Sequence, residues 1–195
     1  MPLTTMVIIM FYILIFTGVF EEVRKNIELP KFCLYYFLLC CAALYGFNAV
    51  IIPEVEINPA CFVVLISAAT LAACQNEGRT MAVIPIAALL SIPTVAANLF
   101  FKMSEPIRCL VSMLPALCIF SKRNIGFNLA VAASAPFIAA IVRFVIELNL
   151  TGYGSIAFDK SIVDMQFIGL FAVCAAEEIK AYVKKRSLLR IKQKT

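Results

Sequence analysis

The chain has 195 residues, 63% of them hydrophobic and 15% charged, with a mean hydropathy of +0.95, far outside the range of ordinary soluble domains and long enough for one domain. Seventeen Lys and Arg against twelve Asp and Glu give a net charge of +5, and there is no His. Catalytic and metal-binding schemes built on imidazole are thereby excluded.

Leu3 to Phe20 is a continuous apolar run. No basic flank precedes it and no small-residue cleavage site follows, so it reads as a first membrane span and not as a removed signal peptide. The next stretch brings Arg24, Lys25 and Lys31. Phe32 to Ile52 is the second expected span, and it ends at Pro53 before an acidic connector with Glu54 and Glu56. Ala60 to Cys74 is a short third span closed by a polar turn. Met81 to Phe101 is the fourth, interrupted by Pro85 and Pro93. Ile107 to Phe120 is a short fifth span, with Arg108 at its start and Pro115 in its middle.

Ser121-Lys122-Arg123 leads into the sixth span, Ile125 to Glu147, which carries Pro136 and Arg143. A glycine-containing loop follows, then a seventh span from Ile162 to Ala176 with Asp164 near its start. From Glu177 the tail is basic. The third, fifth and seventh spans hold only about fifteen residues, where a bilayer takes roughly 20, so re-entrant segments would read the same way.

Charge sets the orientation. With seven spans, thirteen of the seventeen bases fall in the first, third and fifth loops and the tail. That bias is the one the positive-inside rule associates with a cytoplasmic C-terminus. The expected fold is an all-α, polytopic membrane helix bundle of about seven spans, six being the alternative count, with the N-terminus out and the C-terminus in. Residues 1–176 form the bundle and residues 177–195 a basic cytoplasmic tail, placing the protein in the cell membrane as a multi-pass chain.

The eight cysteines form no C-x-x-C pair, and most lie in apolar runs. They read as small buried hydrophobes, with no metal or redox site.

The candidate functional residues are the charged and helix-breaking ones. An arginine in hydrocarbon costs at least ~2.5–3.5 kcal/mol, so it is expected to face protein, water or headgroups. Arg108 and Arg143 are such residues, with Glu147 one turn after Arg143 on the same face. Asp164 is the expected partner of Arg143 across the sixth and seventh spans. The second group comes from an internal echo: Ser91-Ile92-Pro93 with Ala96-Ala97, and Ser134-Ala135-Pro136 with Ala139-Ala140, each preceded by a short span. A proline in a helix frees a carbonyl one turn earlier. In transporters, broken helices of this kind bind solutes near the midplane. In a scaffold, the same small residues and prolines serve packing.

No catalytic constellation is found. Leu114-Pro115-Ala116-Leu117 resembles the Pro-Ala-Leu element of presenilin-like intramembrane proteases, but Asp159 and Asp164 are the only aspartates and no Gly-x-Gly-Asp exists. A phosphate-binding loop is also missing. The protein is therefore expected not to be an enzyme, and no cofactor or metal is expected. Its size is that of vitamin-uptake membrane subunits, whose alanine-rich coupling surface is not evident in Leu3 to Phe20.

The order of elements resembles a family of prokaryotic multi-spanning membrane proteins catalogued as a domain of unknown function. The residues that carry the resemblance are Ile57-Asn58, Ser121-Lys122-Arg123, and Val163-Asp164 with Gly169-Leu170, Ala172 and Glu177. Pro59-Ala60 stands where a glycine pair is expected, and Ala140 to Arg143 lack an expected acid. The resemblance implies a membrane bundle and supplies no activity.

The expected function is a small-solute transport or solute-binding membrane component. The alternative is a structural or regulatory membrane protein that assembles with partners. Expected partners are the lipid bilayer, anionic lipid at the basic tail, and a membrane protein or a second copy; nucleic acid is not expected.

Overall fold

The computed structural model describes residues 3–52, 55–75, 80–100 and 124–192. It is mostly helical: α1 (Leu3–Phe16), α2 (Glu21–Ile27), α3 (Lys31–Tyr45), α4 (Pro59–Gln75), α5 (Val83–Phe100), α6 (Ile125–Thr151) and α7 (Lys160–Lys192). Three short strands, β1 (Ala49–Ile52), β2 (Val55–Ile57) and β3 (Ile156–Phe158), complete it.

Local chemistry explains where the apolar runs break. The first run stops at Phe16 because Gly18 takes a left-handed conformation, φ 78°. Its successor Val19 donates its N–H back to the Leu14 carbonyl at 2.9 Å, closing a Schellman turn. The chain leaves this turn as α2, bent by 89° from α1. The second run ends as helix at Tyr45. Its last residues, Ala49–Ile52, pair antiparallel with β2 instead, Ala49 facing Ile57, as suits the β-branched Val50, Ile51 and Ile52. β2 in turn pairs parallel with β3, Val55 facing Ile156. The mostly helical chain agrees with the all-α expectation, and the three short strands add a small sheet at one end of the bundle.

The count of spans is corrected as well. Among the described helices, α6 alone is long and apolar enough to cross a bilayer, with a mean hydropathy of 2.2. α1 and α2 reach that length only together, across their bend. α3, α4 and residues Val83–Ala96 of α5 are shorter apolar helices. α7 is long and turns from apolar to basic, its basic stretch continuing the same helix to Lys192. Seven full spans are therefore not supported. The fifth expected span, Ile107 to Phe120, lies outside the described residues.

Long-range hydrogen bonds order the helices. At one end, Thr4 of α1 meets Asp164 of α7, and Asn58 before α4 donates its side-chain amide to the Tyr45 carbonyl at 3.0 Å. At the other end, Gln75 closing α4 meets Asn26 of α2 and Gly126 opening α6, and Glu178 of α7 meets Val23 of α2. Hence α1, α4 and α7 run one way, and α3 and α6 the other. Arg24, Lys25, Lys31 and the described bases that follow Glu177 belong to the second end.

The core centres on α6, whose residues from Ile125 to Ala133 are all buried. Small residues let the helices approach closely. A Cβ on Gly169 of α7 would stand 3.4 Å from both the Cβ and the carbonyl oxygen of Ala132. The outer faces are equally apolar. α1 buries Ile8, Phe11 and Ile15 and exposes Met6, Ile9, Met10, Ile13 and Phe16. α3 buries Leu38 and Cys41 and exposes Phe32, Tyr36 and Leu39.

Candidate functional site

A crevice of 380 Å³ opens between α1, α2, α3 and α4, with α6 and α7 as its floor. Phe11 and Ile15 of α1 and Phe20 in the bend form one wall, Cys33, Leu34, Phe37 and Leu38 of α3 the other. Val64, Ser67, Ala68 and Leu71 of α4 close the side, above Leu129, Phe167, Leu170 and Cys174. Phe11 and Phe20 hold their ring positions against Phe171, with ring centroids 5.5 and 6.0 Å apart in edge-on geometry, an arrangement favoured by the ring quadrupoles. The volume lies in the range of small-molecule sites. The α1–α2 bend creates the space, because α2 turns across the bundle end instead of filling the gap between α1 and α3.

Among the described residues one charged side chain lines the crevice, Arg24 of α2. It forms a fork on Glu21, Nε to Oε2 at 3.0 Å and Nη2 to Oε1 at 2.5 Å, and donates Nη1 to the Leu29 carbonyl at 3.2 Å. Lys31 Nζ stands 3.7 Å from the same carboxylate. Hydrogen bonding from Arg24, then its charge and those of Lys31 and Lys25, hold the Glu21 carboxyl down at about 2. A mouth with one guanidinium and an apolar interior suits an amphiphile with a negative head. Sequence reading counted Arg24 only as a flank charge. The Glu21-x-x-Arg24 spacing was its one available signal.

The residues expected from sequence are scattered. Arg143 pairs with Glu147, Nε to Oε1 at 2.6 Å, with its side chain 49% exposed. The helices do not shelter it, and it makes no ion pair with Asp164. Asp164 instead accepts through one oxygen, Oδ1, from the Thr4 backbone N–H at 3.0 Å, the Thr4 hydroxyl, and the Tyr45 hydroxyl at 3.1 Å. This is a helix cap delivered from another helix: α1 begins with N–H groups that lack intrahelical partners, and the carboxylate supplies one. Arg108 lies outside the described residues.

Pro93 and Pro136 stand inside α5 and α6, and each helix continues through its proline. The carbonyls they free belong to Leu89 and Ala132. Ser91 donates to the Ala88 carbonyl at 2.7 Å and Ser134 to that of Ala130 at 2.6 Å, so neither serine serves a freed carbonyl. At Pro136 the neighbouring helix closes the gap. Gly169 packs on Ala132, and Gln166 donates to the carbonyls of Ala133 at 2.9 Å and Cys61 at 3.3 Å. None of these four echo residues lines the crevice.

Cys41, Cys61 and Cys174 are buried as expected, whereas Cys40 and Cys74 are exposed and Cys33 is half-buried. Among the described residues no cluster of ligands fit for a metal ion occurs.

No family model, curated protein or solved structure matches the chain. The family resemblance noted above therefore rests on its own residues alone.

Proposed function

We propose that the protein is a multi-pass membrane protein that binds a small amphiphile, an apolar chain with an anionic head, as a solute-binding or transport component. Two features support the membrane setting. Helices apolar on both faces, such as α1 and α3, have no water-facing side. The concentration of bases at one end of the bundle fits the positive-inside rule, with the C-terminus in. Shorter helices then belong to a bilayer thinned around them. The observation that carries the ligand is the 380 Å³ crevice, whose lining among the described residues is apolar except for Ser67, Thr70 and the guanidinium of Arg24. The ligand's chain lies between α1 and α3, and its head reaches Arg24 at the basic end. No chemical step is part of this reading.

A second reading is a structural or regulatory membrane protein that assembles with partners. It is favoured by the closed packing at Pro136, where Gln166 and Gly169 leave no open backbone for a solute.

Binding of a single-chain fluorescent fatty acid to the purified protein in neutral detergent separates the two. Saturable binding that Ser67→Trp, a change at a half-buried crevice position, weakens about tenfold or more supports the first. Equal, non-saturating uptake by both forms is micelle partitioning and leaves the scaffold.

A further inference from the structure

We propose that the second half of α7, beyond Glu178, is a docking helix for an acidic, apolar-centred protein surface. The helix runs without interruption from Lys160 to Lys192. Its first half is buried through Val163, Phe167, Leu170 and Val173, while in its second half Ile179, Tyr182 and Val183 are 63%, 65% and 59% exposed. Their spacing, i, i+3 and i+4, puts them on one face of the helix. Around that face the sequence from Ile179 to Lys192 holds six bases and no acid. Lys184, Lys185 and Arg186 are exposed and have no ion pair among the described residues.

This arrangement is unfavourable for a helix standing alone. By spacing, Arg186 and Arg190 are like charges at i, i+4, and such pairs destabilise a helix. The macrodipole compensates only the last turn. A partner with carboxylates around an apolar centre removes both the repulsion and the exposed stripe.

The bilayer surface is the competing occupant, and the geometry disfavours it. The root of the segment is fixed to the bundle: Glu178 accepts the Val23 N–H at 2.9 Å. On the membrane reading of the bundle, α7 crosses from the Asp164 end to the basic end and continues along its own axis away from the lipid. Lying on the headgroups would need a break near Glu177, and the helix has none.

The test uses the full chain in nanodiscs of zwitterionic lipid. The probe is a synthetic amphipathic helix with leucine on one face and glutamate on the others, beside a counterpart with glutamine for glutamate. The glutamate helix is expected to bind about tenfold or more tighter than the glutamine one. Either Lys184→Glu with Lys185→Glu, or Tyr182→Ser with Val183→Ser, abolishes the difference. All four positions are exposed, so unchanged thermal unfolding verifies the fold of each variant. Two results overturn the proposal: equal binding of both helices, or binding indifferent to Tyr182 and Val183 and exceeded by binding to anionic phosphatidylglycerol vesicles, which assigns the segment to a membrane surface.

Discussion

The Asp164 carboxylate accepts the backbone N–H of Thr4 at 3.0 Å, so the acid expected to neutralise an arginine fastens the start of α1 to α7. Asp164→Ala should lower stability by about 1–3 kcal/mol, the cost of leaving the Thr4 N–H at the helix start unserved. Thr4→Val, which removes only the hydroxyl, should couple to Asp164→Ala, the double variant losing less than the sum. Arg143→Ala and Asp164→Ala share no contact and should add within about 0.5 kcal/mol. Unfolding in neutral detergent measures the three single and two double variants. A coupling between Arg143 and Asp164 would contradict the geometry.

Gly126 makes a similar joint at the opposite end. A Cβ there would lie 2.5 Å from Gln75 Oε1 and 3.1 Å from the Leu71 carbonyl oxygen. Gln75 would have to leave, breaking its bonds to the Gly126 N–H and the Asn26 carbonyl, both 2.9 Å. Gly126→Ala should cost about 1–3 kcal/mol. Gly46→Ala, where nothing lies within 4 Å, should stay within about 0.5 kcal/mol. Equal effects of the two would remove Gln75 as a clasp.

Glu21 competes for the guanidinium that the ligand head is proposed to use. Its folded carboxyl is depressed from 4.5 to about 2. The ion pair's contribution is thus fully present above 4.5 and is lost as pH falls through about 2. Lowering pH from neutral to 4.5 should therefore leave Arg24 paired and the affinity for an alkyl sulfate, whose head stays charged, unchanged. Glu21→Gln should tighten that affinity several-fold at neutral pH. Weaker binding by this variant would mean that Glu21 orients Arg24 for the head instead of masking it.

Some of this was legible in the sequence, and the reasons differ by residue. The i, i+4 spacing gave Arg143–Glu147 directly, because helix periodicity fixes that neighbour. The gathering of bases was legible in part: Arg24, Lys25, Lys31 and the described bases from Lys180 on share one end of the bundle. The break at Gly18 was missed because an apolar run carries no periodic signal of its own turn. That break bends α2 away and opens the crevice, so the candidate site was lost with it. Asp164 was assigned by charge alone, whereas a carboxylate also serves helix starts, and which start lies nearby is a tertiary fact. Ala49–Ile52 reads as the end of a span in the sequence because its residues suit strand and hydrocarbon alike.

Cys33 gives the most direct test of the crevice as a ligand site. It lines the crevice and is half-buried, while Cys40 and Cys74 are exposed and lie outside it. Peptide-resolved mass spectrometry of maleimide labelling, with and without an alkyl sulfate in a neutral detergent, follows each thiol separately. At a ligand concentration about ten times Kd, labelling of Cys33 should slow about tenfold while Cys40 and Cys74 keep their rates. An unchanged rate at Cys33, or equal slowing at all three cysteines, would contradict the account.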